Sequence, residues 1–329
     1  MQNYSIQGIL DLAESKLSAC QLEGPIGAFR TRPDSEAIAN PAASAAAVNI
    51  HFMLGKLPRS PQQSEEWVHT LQGFQEEEGL FDQGSRALEI TAACSSALQC
   101  FGRQARFPIQ CADAQKGFPE MTSYMQELPW CGYPEKSARE LAAVYSLLDL
   151  NLKGSSEWRQ GVSDWIHSET DSHTGLLKQG CITPVELEGQ WTLLPYLCAI
   201  FYPVALANYA HQPLCLPWRL IDTALEVMEF HRALFFKRRG HRHLPWVFCL
   251  NRSMRQTAHR HEEVRQVLIR FIPDYLSYLD RQIEAGYFES PRQIQWDLAA
   301  LAELQLALPG RLQSDTPLRQ VLDIHPFIM

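Results

Sequence analysis

Several stretches of this chain carry residue types and spacings that could do chemistry. The first is Thr183-Pro184-Val185-Glu186-Leu187-Glu188-Gly189-Gln190-Trp191. Pro184 suits a first helical turn. Glu186 and Gln190 then share a face, whereas Glu186 and Glu188 point about 200° apart. A carboxyl at the mouth of an apolar cavity holds its proton more tightly and can serve as a general acid, the role expected of Glu186. A helix dipole alone also favours acids at a helix start, so the motif is open between the two readings. The second stretch is Lys237-Arg238-Arg239-Gly240-His241-Arg242-His243. Cations beside a helix start suit a diphosphate, carboxylate or sulfate. Arg239 and Arg242 are the expected anion anchors, with His243 as partner to Glu186. The run equally reads as a solvated basic loop in an acidic protein.

Metal and cofactor chemistry find little support. His241 and His243 lack a third ligand. His259-Arg260-His261-Glu262 lacks the helical His-x-x-x-His spacing and reads as a solvated helix start. There is no Gly-Lys-Thr/Ser phosphate loop, dinucleotide fingerprint or Gly-x-Ser-x-Gly elbow. No metal and no cofactor are expected.

Polar residues inside apolar helical stretches are further candidates: Asn40, Ser44, His51, Arg86, Glu89, Arg139, Glu140, Asn251, Arg252, Trp296 and Asp297. Such groups must be paired, wetted by a cavity or neutralised. Glu140 is an expected catalytic group, and Arg86 and Asn251 expected substrate contacts. Arg86 with Glu140 is one conceivable ion pair. Trp191, Trp246 and Trp296 could line a pocket and steady a cation through their ring faces, or fill an ordinary core.

These residues must be positioned by helices. Alternating β-branched runs are nearly absent, while apolar residues at three- and four-residue spacing are common. The periodicity predicts six helix pairs: 3–20 with 38–55, 62–75 with 86–101, a weak 120–127 with 135–150, 155–168 with 184–202, 214–231 with 243–258, and 261–281 with 291–308. The first member of each pair is charged on one side. The second is richer in Ala, Ser, Cys and Leu, as crowded helices require. Ser60-Pro61 is a helix start, and Gly55, Gly102 and Gly310 are closing residues. The segment 107–119 reads as a loop or a short irregular helix. The tail, Leu318 to Met329, ends in apolar residues expected to dock back onto a ring formed by the helix pairs.

A phrase recurs between paired helices: a Gln or acid, a polar turn, then Gly-x-aromatic or Gly-x-Leu. Its clearest copy runs from Trp67 through Gln75 and Gly79 to Phe81, and the second from Trp165 through Glu169 and Asp171 to Gly175-Leu176-Leu177. Weaker copies are Gln21 to Phe29 and Glu284 to Phe288. The phrase resembles the QW-type repeats of terpenoid cyclases and protein prenyltransferase β subunits. Gln75, Gly79 and Phe81 match the Gln-x3-Gly-x-Trp core, with Phe for Trp; in the second copy Glu169 or Thr170 stands for Gln. The resemblance implies a single all-α domain over 1–329, an α/α toroid whose second helices surround a largely apolar pocket. The family's Asp-x-Asp-Asp and Asp-Asp-x-x-Asp motifs are missing, and Cys111-Ala112-Asp113 reverses the order of the prenyltransferase zinc pair. No catalytic residue of the family transfers by match.

Bulk properties narrow the class. A net charge of −8 argues against a general nucleic-acid binder. No apolar run approaches the ~20 residues of a membrane span, since Pro195 and Pro203 interrupt Trp191 to Ala210. The start lacks the pattern of a signal peptide, and the nine cysteines include no Cys-x-x-Cys, which suggests reduced thiols and a cytoplasmic location. Cys94, Cys100, Cys198 and Cys249 read as small core hydrophobes. The leading expectation is a metal-independent enzyme that binds an amphiphilic, isoprenoid-like small molecule. It would catalyse acid–base cyclisation, isomerisation or elimination. The alternatives are a glycan-active α/α-barrel enzyme and a non-catalytic binding or assembly protein on the same fold. A homodimer is compatible with the sequence.

Overall fold

The computed structural model describes residues 3–109, 118–152, 156–178, 180–182, 193–237 and 242–329. Among them are α1 (Gln7–Cys20), α2 (Pro41–Met53), α3 (Pro61–Gly73), α4 (Ala87–Gln99), α5 (Phe118–Glu127), α6 (Pro134–Leu152), α7 (Ser156–Glu169), α8 (Leu193–Tyr209), α9 (Pro217–Lys237), α10 (His243–Met254), α11 (His261–Glu284) and α12 (Pro291–Ala307). The protein is all-α. The described strands are β1 (Tyr4–Ser5) and β2 (Leu312–Gln313), paired in parallel. None of the described helices is long and apolar enough to cross a membrane.

The chain forms two compact units. One comprises Met1–Gln115, Ala143–Lys153 and Leu276–Met329; the other comprises Lys116–Ala142 and Gly154–Tyr275. In the first unit α2 packs against both α4 and α12. The chemistry of α2 explains why it can. Asn40 caps it by accepting from the Ala43 amide at 2.9 Å, and Pro41 opens it. Ala43, Ala45, Ala46 and Ala47 are all buried, and such short side chains let neighbouring backbones approach. Helices α1 and α3 bury one face only. The second unit repeats the division. Nearly all of α8 and all of α10 are buried, whereas α9 alternates buried and exposed positions.

The recurring phrase is a structural clamp. Beyond α3, the Glu76 amide donates to the Leu80 carbonyl at 2.8 Å; after α1, Leu22 donates to Ala28 at 3.0 Å; after α7, Asp171 donates to Leu176 at 2.8 Å. Gln75 is buried, and its amide nitrogen donates to the carbonyls of Gly79 and Phe107, while its oxygen accepts from the Phe107 amide, each at 2.8 Å. Its side chain thereby satisfies three backbone groups that would otherwise be stranded. The next helix closes the turn. The Phe81 amide donates to the Thr91 hydroxyl of α4, and the Phe29 amide donates to the Ser44 hydroxyl of α2. Gly79 has φ +88, and a Cβ there would lie 2.1 Å from the Pro108 carbonyl oxygen.

Several expectations are corrected. Residues 284–288 do not form this turn. Gly286 closes α11, with the Tyr287 amide donating back to Gln282, a helix-terminating arrangement. Residues 4 and 5 are strand rather than helix. Pro203 does not end α8, which continues to Tyr209. Val204, Ala205 and Leu206 are buried beyond it, and that burial outweighs the missing amide bond. The start of that helix was expected at 184, and residues 183–192 lie outside the described residues.

The tail belongs to the first unit, with Phe327, Ile328 and Met329 buried. His325 is 0% exposed, and its Nε2 donates to the Asn49 Oδ1 of α2 at 3.0 Å. Burial lowers its pKa to about 3. The folded state therefore binds this proton less readily than the unfolded chain does. The stabilisation is complete above the ordinary imidazole pKa and is lost as pH falls from about 6.5 towards 3, at about 1.4 kcal/mol per pH unit.

Two outcomes are expected. Gly79→Ala lowers thermal stability by more than about 2 kcal/mol, because backbone occupies the Cβ position; Gly102→Ala, with similar φ but open space, costs about 1 kcal/mol. Equal losses in denaturant melts of the two variants would contradict the clamp. His325→Gln keeps a donor towards Asn49 but cannot titrate, so its melting temperature falls less than that of the parent between pH 6.5 and 4.5. Parallel curves would show that His325 is not the titrating group.

Candidate functional site

Within the second unit, three helices bring polar side chains together in an otherwise apolar setting. Helix α6 begins at Pro134, a residue suited to a first turn, and Glu135 follows it. Arg139 sits one turn further on the same helix. The Cys198 thiol of α8 donates a hydrogen bond to the Glu135 carboxylate. Arg242, the residue that precedes α10, adds its charge to the same carboxylate.

The balance at Glu135 is informative. Crowding by protein raises its pKa, and the Cys198 hydrogen bond and the charges of Arg242 and Arg139 pull it down. Crowding wins, and the net shift is upward. The residue itself is exposed to solvent. The two observations differ because surface area records whether water touches a side chain, whereas solvation depends on how much of the surrounding volume is water. The second quantity governs the proton. Cys198 is buried, and burial followed by the Glu135 charge pushes its thiol well above the usual cysteine range. It is therefore a hydrogen-bond donor at neutral pH, not a nucleophile. A wetted carboxyl that holds its proton more tightly than an ordinary glutamate does, with two guanidinium charges acting on it, is a place where an anionic group can bind next to a proton donor.

The other expected residues are placed as follows. Glu186, Trp191 and Arg239 lie outside the described residues. Arg242 is half-buried and belongs to the Glu135 group. His243 is 2% exposed, and its Nε2 is 2.9 Å from the Phe235 carbonyl oxygen. Its ring stands 4.8 Å from that of Tyr275 and stacks on Phe236. This is the setting of a packing residue, and the role of acid–base partner does not fit it. Trp246 is 0% exposed, donates to the Ala224 carbonyl of α9 at 2.8 Å and packs on Phe271. It fills the layer between α9, α10 and α11. Asn251 is fully buried in α10.

Glu140 accepts from the Tyr124 hydroxyl at 2.6 Å. It lies five residues from Glu135, about 140° around α6, and so faces elsewhere. In the first unit, Arg86 turns to its own helix, with Nε and Nη2 donating to one Glu89 oxygen at 2.8 and 2.6 Å. Trp296 is buried in α12. The first unit also has an open groove of ≈ 590 Å³ beside α3, lined in part by Gln62, Glu65, Glu66 and His69. Water reaches these groups freely and screens them, which makes it the weaker site.

Sequence reading missed Glu135 and the part played by Cys198. The Pro-Glu start at 134–135 and the four-residue spacing to Arg139 were a legible signal, of the same kind as Pro184 with Glu186. Cys198 carried none, because a buried thiol in an apolar helix looks the same whether or not a carboxylate faces it. Among the described residues, no cluster of three or more His, Cys, Asp or Glu could hold a metal ion. Comparison with known protein families, characterised proteins and solved structures finds no match to this chain.

Side-chain carbon NMR should place the Glu135 titration midpoint above that of an ordinary glutamate. Arg242→Ala and Cys198→Ala each raise it further, because each removes a contribution that favours the ionised form. A midpoint that falls in either variant would overturn the assignment.

Proposed function

We propose that the chain is a metal-independent, terpenoid-cyclase-like protein that binds an amphiphilic small molecule with an anionic head, isoprenoid-like in its apolar part. In this reading Glu135 is the proton-transferring group and Arg242 and Arg139 hold the anion. Cys198 positions the carboxyl. The observation that carries the reading is the convergence of Cys198, Arg242 and Arg139 on the Glu135 carboxyl within the second unit. The reaction would be a protonation-initiated cyclisation, isomerisation or elimination, in which Glu135 gives its proton to substrate and regains one later. The reading takes the helix pairs as successive hairpins of a closed α/α toroid. The alternation of amphipathic and fully buried helices within each unit supports that closure, as does the clamp after α1, α3 and α7.

A non-catalytic binding protein is the second reading. It is favoured by the fate of His243 and Trp246, both of which are spent on packing.

Geranylgeranyl diphosphate is a suitable probe, with binding followed by calorimetry and its fate by mass spectrometry. Arg242→Ala should weaken binding at least tenfold, about 1.4 kcal/mol or more. Glu135→Gln should bind within about threefold of the parent, yet form no product. Unchanged affinity in the arginine variant, or full turnover in the glutamine variant, would sink the enzymatic reading. Binding without product in the parent itself selects the second one.

A further inference from the structure

The second unit holds a pair of thiols that the functional reading does not use. Cys131 lies in the turn before α6, and Cys181 follows the hairpin that runs from Thr170 to Leu177. Their sulfurs are 2.7 Å apart, although the two residues are fifty positions distant in sequence. Both are free thiols; Cys131 is exposed and Cys181 half-buried. The approach is built rather than incidental. The Tyr196 hydroxyl of α8 lies 3.3 Å from the Cys131 carbonyl oxygen and 3.4 Å from that of Cys181, so its single proton is shared between, or alternates between, the two turns. The Trp130 indole donates to the Met125 carbonyl at 2.7 Å and fixes the first turn. Lys178, three residues before Cys181, is held by Glu169 at 2.8 Å and by Gln126 at 2.8 Å.

We propose that Cys131 and Cys181 form a reversible oxidative modification site, closed to an intrachain disulfide by a low-molecular-weight disulfide such as oxidised glutathione. The exposed Cys131 thiolate attacks one glutathione sulfur and expels the other glutathione as thiolate. Cys181 then attacks the Cys131 sulfur of the mixed disulfide and expels the second glutathione. Two protein thiols are oxidised, one glutathione disulfide is reduced to two thiols, and the two cysteine protons pass to the two released glutathiones.

The order of attack follows from the surroundings. Burial, then the hydrogen bond and charge of Cys131, push the Cys181 thiol up to about 12, while Lys178 pulls it down. Capping Cys131 removes its two contributions and leaves that of Lys178, so Cys181 becomes more acidic once the mixed disulfide exists. The sulfurs need close only from 2.7 Å to about 2.0 Å, the length of the bond. The bridge would tie the start of α6, where Glu135 sits four residues beyond Cys131, to the turn that follows α7.

The test is treatment of the folded protein with oxidised glutathione, followed by non-reducing peptide mapping. The parent should lose two hydrogens, yield a peptide joined through Cys131 and Cys181, and return to the thiol form with dithiothreitol. Cys181→Ser should stop at a glutathione adduct on Cys131, and Cys131→Ser should form neither adduct nor bridge at this site. A parent protein that accumulates the Cys131 adduct without closing, or joins either cysteine to a different partner, would overturn the proposal. The same holds if Cys131→Ser leaves Cys181 as readily glutathionylated as Cys131 is in Cys181→Ser.

Discussion

A helix with no polar face must be covered on every side, and this constraint shapes each of the two units. Helices α2, α4, α8, α10 and α12 are buried around most of their circumference. Left in water, each would expose a large apolar surface at about 25 cal/mol per Å². Small side chains let such helices lie close to one another, as α2 lies between α4 and α12. What they leave open is filled by helices with one apolar stripe. The amphipathic members are secondary in this sense: their patterning follows from what they must cover. The turns between them are equally constrained, since a buried reversal leaves backbone groups without water. Gln75 answers that need with three hydrogen bonds from a single side chain.

The same crowding creates the chemistry. At the start of α6 a carboxyl meets two guanidinium groups and a thiol, an arrangement that in water would depress its pKa. It rises instead, because protein has displaced much of the solvent that would stabilise the charge. A comparison inside the second unit shows the opposite balance. Asp222 on α9 also faces a cationic pair. Burial raises its pKa only partly, and hydrogen bonds from Arg260 and His259 outweigh that rise and leave the shift downward. The residue types are similar at the two places, and the difference lies in the two close hydrogen bonds, 2.8 and 2.9 Å, that Asp222 receives from His259 and Arg260. Asp222, His259, Arg260 and Glu263 form a network that joins α9 to the start of α11 on a wet surface, where such pairs contribute little.

Histidine and tryptophan mark the border of what residue type can tell. His243 follows directly on Arg242, and both stand in a run of cations, yet their surroundings diverge. Arg242 reaches the Glu135 group, while His243 turns into an aromatic layer made by Phe235, Phe236, Phe271 and Tyr275. Neighbours on a helix point about 100° apart, which is enough to separate solvent from core. Trp246, one turn on from His243, joins the same layer and is consumed by packing.

The helices themselves were legible, because apolar periodicity reflects the free energy of burying one face, and that is a local property of the chain. So was Ser60 as a cap, accepting from the Gln63 amide within its own segment; Asn40, which the periodicity placed inside a helix from 38, instead caps α2 by accepting from the Ala43 amide. The repeated turn was legible at Gln75 and Gly79 but not at Gly286, where the same Gly-x-Phe spelling merely ends a helix. The distinction depends on whether another segment returns to be clamped, as Phe107 does. Pro203 stands inside α8 for a related reason: its cost is local and its compensation comes from neighbours. Sequence alone therefore determined which stretches are helical and which of them must be covered. Tertiary structure decided that the Glu135 pKa shifts upward and that Cys198 faces it. A pKa and a thiol contact depend on displaced water and on groups far away in the chain, and neither is encoded in any short run of residues.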